Sequence, residues 1–150
     1  MNYKDKNNIR ILKESLGRVI YSHTTHEYAA QRKNKHATYT KWANVLLSAL
    51  TFGGLISIVF ISENWVKIIT AILSSLSLGV AIYQLSFTPE NEAQKHEAVA
   101  KELWGIREKY KNLILDVQNE AISQKEVIKV RDSLLEETRL IHKFSPQTNN

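Results

Sequence analysis

The sequence predicts an all-α protein: a two-transmembrane helical hairpin with cytoplasmic helices before and after it. Three observations carry this expectation. Two long stretches, Trp42–Ser62 and Ile68–Phe87, contain no Asp, Glu, Lys or Arg, and only Glu63–Lys67 separates them. The flanking segments repeat their apolar residues at intervals of three and four, the helical period. The 150 residues include five Gly, two Pro and no Cys. That leaves no disulfide framework, thiolate metal site, Cys nucleophile or Pro-rich linker. The predicted parts are an N-terminal cytoplasmic helical segment at 1–41, a hairpin at 42–87 with spans 42–62 and 68–87, a cytoplasmic helical hairpin at 88–145, and a disordered tail at 146–150.

The first helix is expected from Asn8 to about His23, where Ile9, Leu12, Leu16 and Val19 form one narrow apolar face. From Thr25 the chain is expected to re-enter helix and run into the first span, since neither Pro nor Gly interrupts it before Gly53. Tyr28, Arg32, Lys35 and Tyr39 mix aromatic and basic groups along this lead-in. Such a mix can stack nucleic-acid bases, but beside a span it more often anchors a helix to anionic headgroups, so no direct nucleic-acid partner is expected.

A helix rises about 1.5 Å per residue, so roughly 20 residues cross a hydrocarbon core of about 30 Å. Both stretches meet that length. Eleven residues of the first and ten of the second are Val, Leu, Ile or Phe. The second also carries Thr70, Ser74, Ser75, Ser77, Gln84 and Ser86, so it is expected to insert together with the first. A core helix of a soluble protein would keep a polar stripe or need a large shell. The lipid bilayer is therefore the expected surrounding. The first stretch begins about forty residues in, behind a charged helical segment, unlike a secretory signal.

Charge orients the hairpin. Residues 1–41 hold nine Lys/Arg against three Asp/Glu, whereas residues 88–150 hold ten against eleven, so the net charge of +5 arises before the first span. Arg32, Lys33, Lys35 and Lys41 precede that span, and the Ser62–Lys67 turn offers only Lys67. The positive-inside rule then puts both termini in the cytoplasm. Tyr39, Trp42 and Tyr83 fall near the inner interface and Trp65 near the outer one, with ordinary packing as the alternative for each.

After the second span, Thr88-Pro89 has the form of a helix start, and Glu90 and Glu92 suit the positive end of the helix dipole. Val99, Leu103, Ile106, Tyr110, Leu113 and Val117 follow at 4-3-4-3-4 spacing, a seam that predicts packing against another helix. Gly105 within it costs about 1 kcal/mol relative to Ala, so close helix contact is expected there. A break is expected around Asn119–Ile122. Ser123-Gln124-Lys125-Glu126 has the capping-box pattern, and the next helix should run to about Lys143 with Val127, Val130, Leu134 and Ile141 inward.

No catalytic constellation is visible: there is no Gly-rich phosphate loop, nucleophile elbow or His-Glu-x-x-His helix. The chain is not expected to be an enzyme or to hold a cofactor. His23 and His26, with Glu27, are conceivable as a metal pair, but no third ligand is visible and a solvated surface is the ordinary reading. His36, His96 and His142 read as isolated, solvated or interfacial side chains.

The informative pattern lies inside the spans. Ala49, Gly53 and Ser57 fall four apart in the first, as do Ala71, Ser75 and Gly79 in the second. Small residues at that spacing let helix backbones approach closely in lipid. Asn44, Ser48 and Thr51 on one arm and Thr70, Ser74, Ser77, Ala81 and Gln84 on the other form polar stripes at helical steps. Counting from the cytoplasmic ends places Asn44 near Gln84 or Leu85, and Thr51 near Ser77 or Leu78. These groups either hydrogen-bond across the hairpin or, in an assembly of hairpins, line a water-filled path.

The basic lead-in Tyr28-Ala29-Ala30-Gln31-Arg32-Lys33-Asn34-Lys35-His36 runs into two spans joined by a very short turn. A helix with Ala93, His96, Ala100, Leu103, Trp104, Ile106 and Arg107 follows. Over roughly residues 20–145 this arrangement resembles the SLATT proteins, two-transmembrane effectors found beside nucleotide-second-messenger synthetases, nucleotide sensors or reverse transcriptases in bacterial conflict systems. The resemblance implies an inner-membrane effector of antiviral defence, acting by abortive infection. It would form a homo-oligomeric pore when a separately encoded nucleotide-signalling protein or reverse transcriptase triggers it. The alternative is a non-conducting membrane anchor whose C-terminal helices recruit a cytosolic partner through the Val99–Val117 seam.

Overall fold

The computed structural model describes residues 3–61 and 63–148, with side chains from residue 6 onward. Ser62, the expected end of the first span, and Asn149 and Asn150 of the expected tail lie outside the described residues. Four helices follow one another: α1 at Tyr3–Phe60, α2 at Asn64–Ser86, α3 at Pro89–Gln118 and α4 at Gln124–Phe144. No strand occurs among the described residues. The all-helical expectation holds in this form.

The expected interruption before Thr25 is absent, and α1 is a single helix. The physical reason is local. The Thr24 hydroxyl donates to the Ile20 carbonyl at 2.9 Å and that of Thr25 to Tyr21 at 2.8 Å, so both polar side chains are satisfied inside the helix. The turn is also shorter than Ser62–Lys67, because Asn64–Lys67 is the first turn of α2.

Thr88 stands outside the helix and Pro89 opens α3, where its missing N–H costs nothing. At the far end the chain leaves α3 through Glu120, whose φ of 53° is left-handed. The amides of Ala121 and Glu120 donate back to Asp116 and Val117, closing the last turn. Ser123 then caps α4: the Glu126 amide donates to its hydroxyl, and the Glu126 carboxylate accepts from the Ser123 amide at 3.1 Å. The capping box read from the sequence is present.

The chain divides into two compact units. One comprises Met1–Gln31 and Glu92–Asn150, the other Arg32–Asn91. In the first, three helices share one core. Ile9, Leu12 and Val19 of α1 and Val127 and Leu134 of α4 pack with Val99, Leu103, Ile106, Tyr110, Leu113, Ile114 and Val117 of α3, with Leu16, Ile122 and Ile141 against them. All six residues of the expected α3 seam are buried. Their partners are the chain's own helices, so the seam offers no free face for recruiting a cytosolic protein, as the anchor alternative required.

Val130 is a second correction. It is exposed, because α4 turns Val127, Leu134 and Ile141 inward with Arg131 and Thr138 between them at 4-3-4-3 spacing, which leaves Val130 one step off the face. Tyr110, 1% exposed, sits at the centre of this bundle. Burial pushes its phenol above the ordinary value, while the Ser15 hydroxyl on α1 and the Arg18 and Arg131 guanidiniums pull it back.

Candidate functional site

The second unit is the hairpin of α1 and α2. Among its described residues only Ala37, Val66 and Thr70 are buried. Its large apolar side chains point outward: Val45, Leu46, Leu50, Phe52, Val59 and Phe60 on α1, and Ile68, Ile72, Leu76, Leu78, Ile82 and Leu85 on α2, are all more than half exposed. Continuous apolar surface of this extent is not left in water by soluble proteins. No residue of the most apolar part of α1 is buried, which excludes the core-helix reading for that span.

The polar groups turn the other way, toward the opposite arm. Asn44 donates its side-chain amide to Gln84 Oε1 at 3.1 Å, and Gln84 donates Nε2 to the Thr40 carbonyl at 2.7 Å. The hydroxyls of Ser48 and Ser77 share a hydrogen bond at 3.4 Å. Thr70 donates to Val66 and Ser74 to Thr70, each at 2.9 Å within α2. The Thr51 hydroxyl is buried and has no hydrogen-bond partner among the described residues. Below the seam, Lys41 pairs with Glu90 at 2.6 Å. In a medium without water an unpaired amide is costly, so Asn44 and Gln84 meeting across the hairpin satisfies both where each alone would be a liability.

Residue counting holds at Asn44, which meets Gln84 as expected, but is off by one turn farther along the arms, where it set Thr51 beside Ser77. Ser48 occupies that place. The arms are aligned by the short turn and the early start of α2 at Asn64, not by the ends of the charge-free stretches.

The small residues behave unexpectedly. Ala49, Gly53, Ala71, Ser75 and Gly79 are exposed and Ser57 is half-buried; a methyl group added at Gly53 or Gly79 would meet nothing within 4 Å. These runs do not meet within the chain. The close approach is made by Gly54 instead, where a Cβ would lie 2.5 Å from Thr70 Oγ1. The sequence signal for it was the Gly53-Gly54 pair opposite a β-branched residue, but periodicity alone could not choose between the two glycines.

The interfacial aromatics Tyr39, Trp42 and Trp65 are all at least 60% exposed, which removes packing within the chain as their explanation. Tyr83 stacks on Phe87 at 5.0 Å. In the first unit, His96 is not solvated as expected: it is 4% exposed and its Nδ1 lies 3.0 Å from His26 Nδ1. His23 turns instead to Glu27 at 3.8 Å, and no group of three or more metal-ligating side chains converges among the described residues. The signal for the His pair was present. His26 continues the Ile9-Leu12-Leu16-Val19 seam, and His96 lies three residues before Val99 on the α3 seam.

Two helices long and apolar enough to cross a membrane, joined by a short turn and bonded along a polar inner edge, define a two-transmembrane hairpin domain and point to a membrane location. The chain belongs to the SMODS and SLOG-associating 2TM effector domain family 4, whose family model matches residues 9–150. This is the SLATT family that the lead-in, spans and following helix resembled, and the match extends over both units. No curated protein and no solved structure matches the chain.

Proposed function

We propose that this protein is an inner-membrane effector of a bacterial antiviral conflict system, which assembles with copies of itself and permeabilises the membrane when a separately encoded partner triggers it. The trigger would be a nucleotide-signalling protein or a reverse transcriptase, acting in the cytoplasm, where the basic lead-in holds both termini. The observation that carries this reading is the inward polar edge of the hairpin. Asn44, Ser48 and Thr51 face Thr70, Ser74, Ser77 and Gln84 between two charge-free spans.

The closed form keeps these groups, Thr51 excepted, bonded to one another or to backbone. The open form exchanges those bonds for water, with the arms of neighbouring hairpins turned so that the polar edges line a path. The outward runs Ala49-Gly53-Ser57 and Ala71-Ser75-Gly79 serve as contacts between copies, since small residues permit the close helix crossing that such an assembly needs.

The absence of native Cys makes a direct test available. Ser48→Cys with Ser77→Cys places two thiols where hydroxyls now lie 3.4 Å apart. In liposomes with the triggering partner, oxidation should suppress dye leakage and reductant should restore it. Equal leakage from the stapled and reduced forms would remove hairpin opening from the mechanism.

A further inference from the structure

We propose that His26 and His96 form an acid-sensitive clasp between α1 and α3: the pair holds the helices together while it is neutral or carries one added proton, and a second added proton drives the rings apart and loosens that end of the bundle. The Nδ1 atoms lie 3.0 Å apart, the ring centroids 5.2 Å apart with a 41° tilt, and the residues are 5% and 4% exposed. At this separation one nitrogen must carry the hydrogen while the other offers its lone pair. A neutral pair meets that requirement, and so does a pair sharing one added proton. Two imidazolium rings do not. They point N–H at N–H and place like charges at contact distance, away from water.

Titratable and charged groups approach the pair from all three helices of the bundle. On α1, His23 and Glu27 pair with each other at 3.8 Å, and Lys33 follows two turns on. On α3, Glu92, Lys95 and Glu97 lie within one turn of His96, and Glu97 is engaged with Lys101 at 2.8 Å. From α4, His142 adds a further positive charge when protonated, and together with burial and His96 it holds the proton affinity of His26 below the ordinary value of 6.5.

The sign follows from that depression. An unfolded His26 takes up its proton near 6.5, the folded one only at lower pH. The clasp is therefore fully effective above about pH 6.5 and is lost as pH falls below it. α1 and α3 are also the helices through which this bundle is covalently joined to the hairpin, so the clasp acts on the two segments that continue toward its arms. The inference does not depend on whether the chain conducts.

Hydrogen–deuterium exchange of the full-length chain in detergent, corrected for intrinsic rates, tests it between about pH 7.5 and about pH 5. Peptides covering residues 20–30 and 93–103 should lose protection about tenfold or more, while those of the Tyr110–Leu134 region keep it. His96→Asn, whose amide nitrogen can occupy the Nδ1 position without titrating, should flatten the response, as should the reciprocal His26→Asn if the first variant folds poorly. His142→Gln should retain it. In the wild-type chain, NMR titration of the rings should show the pair taking up one proton before protection is lost and the second with that loss. Unchanged protection at low pH, a parallel loss in the Asn variants, a response abolished by His142→Gln, or two rings titrating independently would each overturn the clasp.

Discussion

Gly54 and Thr70 meet across the hairpin at a distance that only glycine permits. A Cβ on Gly54 would stand 2.5 Å from Thr70 Oγ1 and 3.1 Å from its Cγ2. Thr70 has little freedom to yield, because it is β-branched and its hydroxyl is committed to the Val66 carbonyl. Gly54→Ala should therefore destabilise the hairpin by about 1–3 kcal/mol, the range of overpacking. Gly53→Ala, with open space around it, should shift stability by less than about 0.5 kcal/mol. Steric-trap unfolding in bicelles measures both, and equal effects would contradict the contact.

Gln84 is the most connected polar side chain of the seam, engaging Asn44 and the Thr40 carbonyl together. Gln84→Leu should cost about 0.6 to 1.7 kcal/mol of hairpin stability, from the average to the largest value found for such bonds in membranes. Replacing Ser74, Ser77 and Gln84 together by Leu should also change triggered liposome leakage. Leakage that stays the same would take these residues out of the conducting path.

Leu103 and Tyr110 are central to the bundle, at 0% and 1% exposure. Leu103→Ala should destabilise it by about 2–5 kcal/mol. Tyr110→Phe, which removes a buried hydroxyl beside Ser15, should cost about 1–2 kcal/mol. A charge at Leu103 should unfold the bundle altogether, visible as a loss of helical circular dichroism. A fully folded charged variant would show that the seam is not core.

The Ser123–Glu126 cap makes a pH-dependent contribution. Hydrogen bonds from Ser123 hold the Glu126 carboxyl below its ordinary value, so the folded state keeps it ionised more readily than the unfolded chain does. The resulting stabilisation is present above the usual carboxylate range and disappears as pH falls through it. Ser123→Ala should cost about 1 kcal/mol at neutral pH and leave the acid limb of the unfolding curve shallower. Thermal melts at neutral and acid pH provide the comparison.

Much of this architecture was legible in the chain because its causes are local. Pro89 as a helix start and the Ser123–Glu126 box each act within a few residues, and α3 and α4 begin where those signals put them, while the charge-free stretches marked both spans without fixing their ends. The polar stripes were legible as faces of the two spans. Of their partners, counting gave Asn44 with Gln84 but not Ser48 with Ser77, because that register depends on where α2 begins after the turn. Val130 shows the same limit, since a 3-4 pattern admits a neighbouring face when Arg131 and Thr138 can lie along the seam.

By itself, then, the order of residues determined an all-helical chain, its two long apolar stretches, and the family to which it belongs. Only tertiary structure decided which surfaces are consumed. It filled the α3 seam with α1 and α4, left the small-residue runs open, and buried His26 against His96. The reason is physical: a helix's period follows from its own bonds, whereas its contacts depend on the rotation and register of another helix, which no single segment encodes.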